Sequence, residues 1–169
     1  MKQVTKFAMA LVFVFALTQF TQAQSKMAHI NVTELLAEMP DMKSAQAELK
    51  KLQETYRADI ESSMTELKNK YQQYSNEAES KSEAENQKRA QELQGFEKNI
   101  SDAQQAAQQE LAKKQAELFE PISIKAKAAI EKVAAAQGFD YVVDASPGLG
   151  VIVAKGKDLL PEVKQELGF

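Results

Sequence analysis

The stretch DMKSAQAELKKLQETYRADIESSMTELKNKYQQYS, residues 41–75, decides the fold. Its apolar residues fall at Met42, Ala45, Leu49, Leu52, Tyr56, Ile60, Met64, Leu67, Tyr71 and Tyr74, so nine steps of three or four cover 32 residues. That is roughly 3.6 residues per step, the repeat of an α-helix. A strict heptad gives 3.5, and the three consecutive steps of four from Leu52 to Met64 loosen a left-handed supercoil locally. One face is apolar and the rest is charged or amide-bearing. Such a helix needs a partner face.

Outward from this stretch the same texture continues to Gln137, with Gly95 and Pro121 as the only glycine and proline between residues 41 and 137. Pro40 stands before the region and Gly138 after it, the usual punctuation of a helical segment. A second stripe runs through Leu93, Phe96, Ile100, Ala103, Ala107, Leu111, Leu118 and Ile122, shallower because several positions are alanine. No large apolar residue occurs between Tyr74 and Leu93, and poor helix formers gather at Ser75, Asn76, Ser80 and Ser82. The spacing therefore predicts two helices, residues 41–75 and 84–137, folded back on each other around a tip near 76–83. The first would be about 50 Å long. Pro121 is expected to bend the second helix where it leaves the hairpin, and Gly95 is a second candidate flex point or a packing accommodation.

The flanks read differently. Residues 1–23 have a secretory pattern, with Lys2 and Lys6 at a basic end, an apolar run too short to span a bilayer, and a small-residue site ending at Ala23. Cleavage there leaves 19 basic against 24 acidic residues, a net charge of −5. With no cysteine, neither a disulfide nor a cysteine-linked lipid anchor is available, so a soluble periplasmic protein is expected. Residues 27–32 alternate as a short strand, with Ile30 and Val32 on one side. Thr33 is placed to cap a brief helix, and Asp41 to cap the long one. After Gly138, residues 139–144 read as a strand with Phe139, Tyr141 and Val143 sharing a face. Residues 146–150 read as a turn, 151–154 as another strand carrying Val151 and Val153, and 161–167 as a closing helix.

The fold class is thus α+β, a small β-sheet body bearing a long antiparallel coiled-coil hairpin. Residues 24–40 and 138–169 supply only 49 residues to the body, too few to be comfortable alone without disulfides or metal. Open strand edges invite pairing. The body is therefore expected to assemble with copies of itself through Ile30, Val32, Phe139, Tyr141, Val143, Val151 and Val153.

The order of elements, and above all the ending from Gly138 through Val142, Asp144 and Gly150 to Leu159 and Val163, resembles the Skp (OmpH) family of periplasmic chaperones. The resemblance covers essentially the whole chain after residue 23. It implies a homotrimer with an intersubunit β-barrel and three helical tentacles around a cavity. It also implies a holdase, working without ATP, for unfolded outer-membrane β-barrel proteins on their way to the outer-membrane assembly machinery. Leu160 stands where the family carries a capping threonine, which predicts a loss of about 1 kcal/mol and a frayed last helix. The acidic balance departs from the basic family pattern and predicts weak or no binding to anionic membranes. Lys81, Lys88, Arg89 and Lys98 are interleaved with Glu83, Glu85, Glu92 and Glu97, which reads as a solvated helix face with local ion pairs.

A holdase needs many weak apolar contacts of no fixed shape. Met64, Leu67, Tyr71, Tyr74, Leu93, Phe96 and Ile100 could face such a cavity, with Tyr71, Tyr74 and Phe96 favoured. The competing reading is that these residues zip the two helices together. Enzymatic and nucleic-acid readings find little support. No phosphate-binding glycine loop is present, and His29 has no neighbouring ligand cluster, so no metal and no cofactor are expected. Asp140 and Asp144 lack a nucleophile, and arginine is scarce. Phe169 resembles the aromatic ending of outer-membrane barrels, but the ten-residue strands of a barrel are missing. The alternative from another class is a structural spacer or adaptor whose hairpin docks to a fixed partner.

Overall fold

The computed structural model describes residues 25–169, so the secretory pattern of residues 1–23 lies outside the described residues. Strand β1 (Met27–Ile30) leads into helix α1 (Val32–Glu38) and then the long helix α2 (Pro40–Glu77). A 3-10 turn, Ala78–Ser80, reverses the chain into helix α3 (Glu83–Gln137). Strand β2 (Tyr141–Asp144), strand β3 (Lys157–Asp158) and helix α4 (Leu160–Leu167) complete it. At 1.5 Å per residue the 38 residues of α2 extend about 57 Å.

Local chemistry fixes each junction. Asn31, not Thr33, caps α1: its Oδ1 accepts from the Glu34 amide at 3.0 Å while its Nδ2 donates to Glu34 Oε2 at 3.2 Å. The Met39 amide closes α1 on Leu35 and Leu36, and Pro40 opens α2 in the next position. Asp41 therefore sits inside the first turn and accepts from Lys125 Nζ at 2.7 Å instead of capping. At the tip, Ser82 caps α3 through Glu85, and Asn86 Nδ2 donates to the Ala78 carbonyl at 2.9 Å. Gly138, at φ 71, ends α3 with amide bonds from Gly138 to Ala135 and from Phe139 to Ala134, a left-handed stop that favours glycine.

The sheet is wholly parallel, in the order β2-β1-β3, with Met27 opposite Tyr141 and His29 opposite Asp158. Parallel neighbours need a long crossover. Here the whole helical hairpin is the crossover from β1 to β2. The second crossover corrects the sequence reading of residues 151–154. Because β3 also runs parallel to β1, the chain must travel back before it can pair, and residues 145–156 make that return. Val151 and Val153 are thus on an irregular path, and the third strand falls at Lys157–Asp158. Among the described residues, 151–155 make no backbone hydrogen bond within the chain.

The core lies between one face of the sheet and the helices. Ala28 and Ile30 share one buried cluster with Leu35, Met39, Met42 and Ala45 and with Leu159, Leu160 and Val163. The root of α3 closes it with Ile122, Ala126, Ala129 and Val133. The body therefore recruits both roots of the hairpin, which the count of 49 residues left out. Leu160 is the first residue of α4, and Leu159, at the N-cap position, makes no side-chain cap bond. Leu160 is buried, and Asp158 Oδ1 accepts from its amide at 2.9 Å, so an aspartate outside the helix satisfies one open donor of the first turn.

Candidate binding surfaces of hairpin and body

Along the outer hairpin the contact seam of α2 follows Ile60, Ser63, Leu67, Lys70, Tyr74 and Glu77, the positions that are half-buried. Two polar residues thus take seam places that the apolar count gave to Met64 and Tyr71, which lie beside it at 53% and 45% exposure. Facing them, Leu93 and Ile100 are buried and Phe96 is half-buried. The seven residues proposed for client contact therefore divide. Leu67, Tyr74, Leu93, Phe96 and Ile100 are turned into the hairpin, while Met64 and the Tyr71 ring reach solvent.

Near the tip the seam is a polar and aromatic lock, whose Arg89, Glu92 and Glu97 the sequence reading placed on a solvated face with local ion pairs rather than in bonds across the hairpin. Glu92 accepts from Lys70 Nζ at 2.9 Å and from the Tyr74 hydroxyl at 2.9 Å, and Glu97 accepts from the Tyr71 hydroxyl at 2.7 Å. Arg89 Nη2 donates to Glu77 at 2.7 Å, with its guanidinium 4.6 Å from the centre of the Tyr74 ring. Lys70 Nζ lies 4.8 Å from the Phe96 ring centre. The Lys70 bond, seconded by Tyr74, holds the Glu92 carboxyl below its ordinary range, and Glu92 in turn raises Lys70. The twelve-residue separation of Glu77 and Arg89 across a predicted tip was the one signal of this pairing available in the sequence.

Between this lock and the body the hairpin opens. Alanines of α3 face large residues of α2, and a groove of about 480 Å³ remains, with Tyr56, Ile60, Phe96, Ile100, Ala103 and Ala107 along it. Gly95 sits just tipward, and a Cβ there would meet nothing within 4 Å, so packing does not require glycine. Pro121 stands one residue before Ile122, where α3 enters the core, and the helix runs through it unbroken.

On the body, the outer face of the sheet is apolar and open. Met27 and Tyr141 are 57% and 60% exposed, and Val143 and Val151 flank a hollow of about 290 Å³ beside His29, whose Nε2 lies 3.2 Å from the Gly156 carbonyl. Val153 is exposed here as well. Three residues expected on this face lie elsewhere. Ile30 is 1% exposed in the chain's own core, Val32 begins α1, and Phe139 turns inward because the chain bends at Asp140 before β2 starts. The two aspartates are separate anchors. Asp140 accepts from the Lys26 amide at 2.9 Å. Burial opposes ionisation of Asp144, but bonds from the Ser146 hydroxyl and amide and the Val32 amide outweigh it and hold its carboxyl below the usual range. Among the described residues there is no metal-ligating cluster, and no helix is long and apolar enough to cross a membrane.

A long helical hairpin inserted as the crossover of a small parallel sheet defines a tentacled α+β protein. The sequence model of the outer membrane protein (OmpH-like) family matches residues 26–167, and the chain belongs to that family. It is similar in fold to a Caulobacter crescentus protein assigned as an outer membrane chaperone (OmpH-like), with a TM-score of 0.74 and 16% identity over 86% of this chain and 85% of that one. No curated protein matches.

Proposed function

We propose that this chain is a periplasmic holdase chaperone that works without ATP, keeping unfolded outer-membrane β-barrel proteins soluble in transit to the outer-membrane assembly machinery. The observation that carries the reading is the hairpin's exposed apolar surface. Met64, Tyr71 and the open groove offer shallow contacts spread along a rod whose remaining surface is charged. Membership of the OmpH-like family and likeness to an assigned chaperone support it.

The body is proposed to close with two copies of itself into a trimer. Met27, Tyr141, Val143, Val151 and Val153 would meet across the joint, and the unpaired backbone of residues 151–155 would find partners there. Capture by three hairpins would add weak contacts into useful retention.

The test is light scattering coupled to size-exclusion chromatography on the chain from residue 24, alone and mixed with a urea-unfolded outer-membrane barrel protein diluted without nucleotide. A trimer that holds the barrel protein in a defined co-eluting complex is expected. An oligomer that lets it aggregate at every ratio would favour a spacer or adaptor, a reading to which the polar lock at the tip lends some weight because it stiffens the end of the rod.

A further inference from the structure

The two flanks of the hairpin groove are not alike. On one flank the apolar floor is rimmed by Asp59, Glu66 and Glu110, and no basic side chain lines it. None of these three carboxylates is in an ion pair among the described residues, whereas Glu54, Glu92 and Glu117 of the same hairpin are. On the other flank a shallower hollow of about 230 Å³ is bordered by Gln53, Gln104, Gln108 and Arg57, the last its only charge. The acidic rim thus belongs to the larger of the two hollows.

We propose that the acid-rimmed groove binds extended polypeptide segments in which aromatic or aliphatic side chains are flanked by lysine or arginine. This rests on the chaperone reading and names the kind of client segment that one flank takes. The chemistry fits in three ways. The alanine floor accepts apolar side chains without fixing their shape, and the aliphatic stems of lysine or arginine can lie along it. Unpaired carboxylates at the rim then meet the cationic heads, within reach at physiological ionic strength. Tyr56 adds an aromatic ring, on which guanidinium groups stack. Segments flanked by acidic residues meet the same floor but a repulsive rim, so selection comes from the charges and adhesion from the floor.

The test measures fluorescence anisotropy of a short labelled peptide alternating Phe, Ser and Lys, and of its counterpart with Glu for Lys, titrated with the intact oligomer. The Lys peptide is expected to bind and the Glu peptide to bind at least about tenfold more weakly, with the difference shrinking as salt rises. The combined variant Asp59→Asn, Glu66→Gln, Glu110→Gln should weaken the Lys peptide about tenfold, since three exposed charge contacts each contribute modestly. All three residues are exposed, so folding is not at issue. Ala103→Arg, an exposed helix position on the floor, should also weaken it. Equal affinity for both peptides, or a triple variant that binds as the parent does, overturns the proposal. So does a change of oligomer mass with Ala103→Arg, which would make the groove a contact between copies. If charge preference is absent while the protein still keeps a barrel protein soluble, only this inference falls. If it binds neither peptide and protects nothing, the chaperone reading falls with it.

Discussion

The two halves of α3 make an instructive pair, since one continuous helix lives in two environments. From Ile122 to Ala134 it carries five residues under 9% exposure, packed on sheet and helices alike. From Glu83 to Leu111 it buries Leu93, Ile100 and Ala107 alone, and its remaining grip on α2 is ionic, aromatic or absent. The root is a core and the rod is a surface. Burial of apolar area sets the stability of the first. The second is held by one shared stripe and a lock at its end, so it opens locally at far smaller cost. A root that stays folded while the rod opens locally follows from this division.

The sharpest way to break the comparison is to damage the root. Leu35 is fully buried among Ile30, Met39 and Val163, and Leu35→Ala should cost about 2–5 kcal/mol in urea unfolding. Loss of the proposed oligomer on chromatography should accompany it. The equivalent deletion on the rod, Leu67→Ala, should cost well under half as much because Leu67 is only half-buried. Equal costs would show that rod and root form one cooperative unit.

The second largest effect concerns the joint that ties the β2 end to α1. Ser146, 1% exposed, takes the Thr33 amide at 3.0 Å on its hydroxyl and lies 2.6 Å from Asp144 Oδ1. Ser146→Ala leaves the Thr33 amide without its acceptor and should cost about 1–3 kcal/mol. Asp144 also predicts a pH dependence. Its folded carboxyl titrates below its unfolded value of about 3.9, so its contribution is fully present above that value and is lost as pH falls through the folded one. Asp144→Asn should flatten acid unfolding in that window. An unchanged acid limb would place the sensitivity elsewhere.

How far the sequence carried this picture depends on which partner decides each feature. The hairpin was legible because 3.6-residue spacing is a property of one helix, and its ends because Pro40, the serines near the tip and Gly138 act on their own neighbours; the caps expected at Thr33 and Asp41 were not, since Asn31 takes the first and no side chain takes the second. The true seam was not, since Ser63 and Lys70 hold seam places only by virtue of what α3 puts opposite them. The same holds for Ile30, which alternation put on a face without saying whether that face meets helices or a copy. Residues 151–154 have strand-forming chemistry, yet parallel order makes them a return path. The side-chain cap that Leu160 removes is indeed missing from α4, and what the sequence hid is that Asp158, from outside the helix, accepts the first amide instead.

The tip lock offers the next and more local test. Arg89→Met keeps the aliphatic length but removes the bond to Glu77 and the stacking on Tyr74. Amide exchange at residues 74–92 should accelerate roughly tenfold while the urea midpoint hardly moves. High salt should do part of the same to the parent protein, since the pairs are near the surface. Exchange that spreads to Ile122 would mean the lock supports the body.

The smallest stability effect belongs to Met64, which is why it is the most informative about capture. Its side chain is 53% exposed beside the seam, so Met64→Ser should change stability by less than about 0.5 kcal/mol. Anything it does to retention of an unfolded barrel protein is then a contact effect, free of folding. In an oligomer the loss repeats on every arm, and weak contacts in sequence multiply, so a clear rise in the rate of client release is expected. Tyr71→Phe is its partner experiment, because it cuts the bond to Glu97 and leaves the exposed ring in place. Faster release with Met64→Ser and unchanged release with Tyr71→Phe would put capture in the apolar surface; the reverse would put it in the stiffness that the Tyr71 hydroxyl confers.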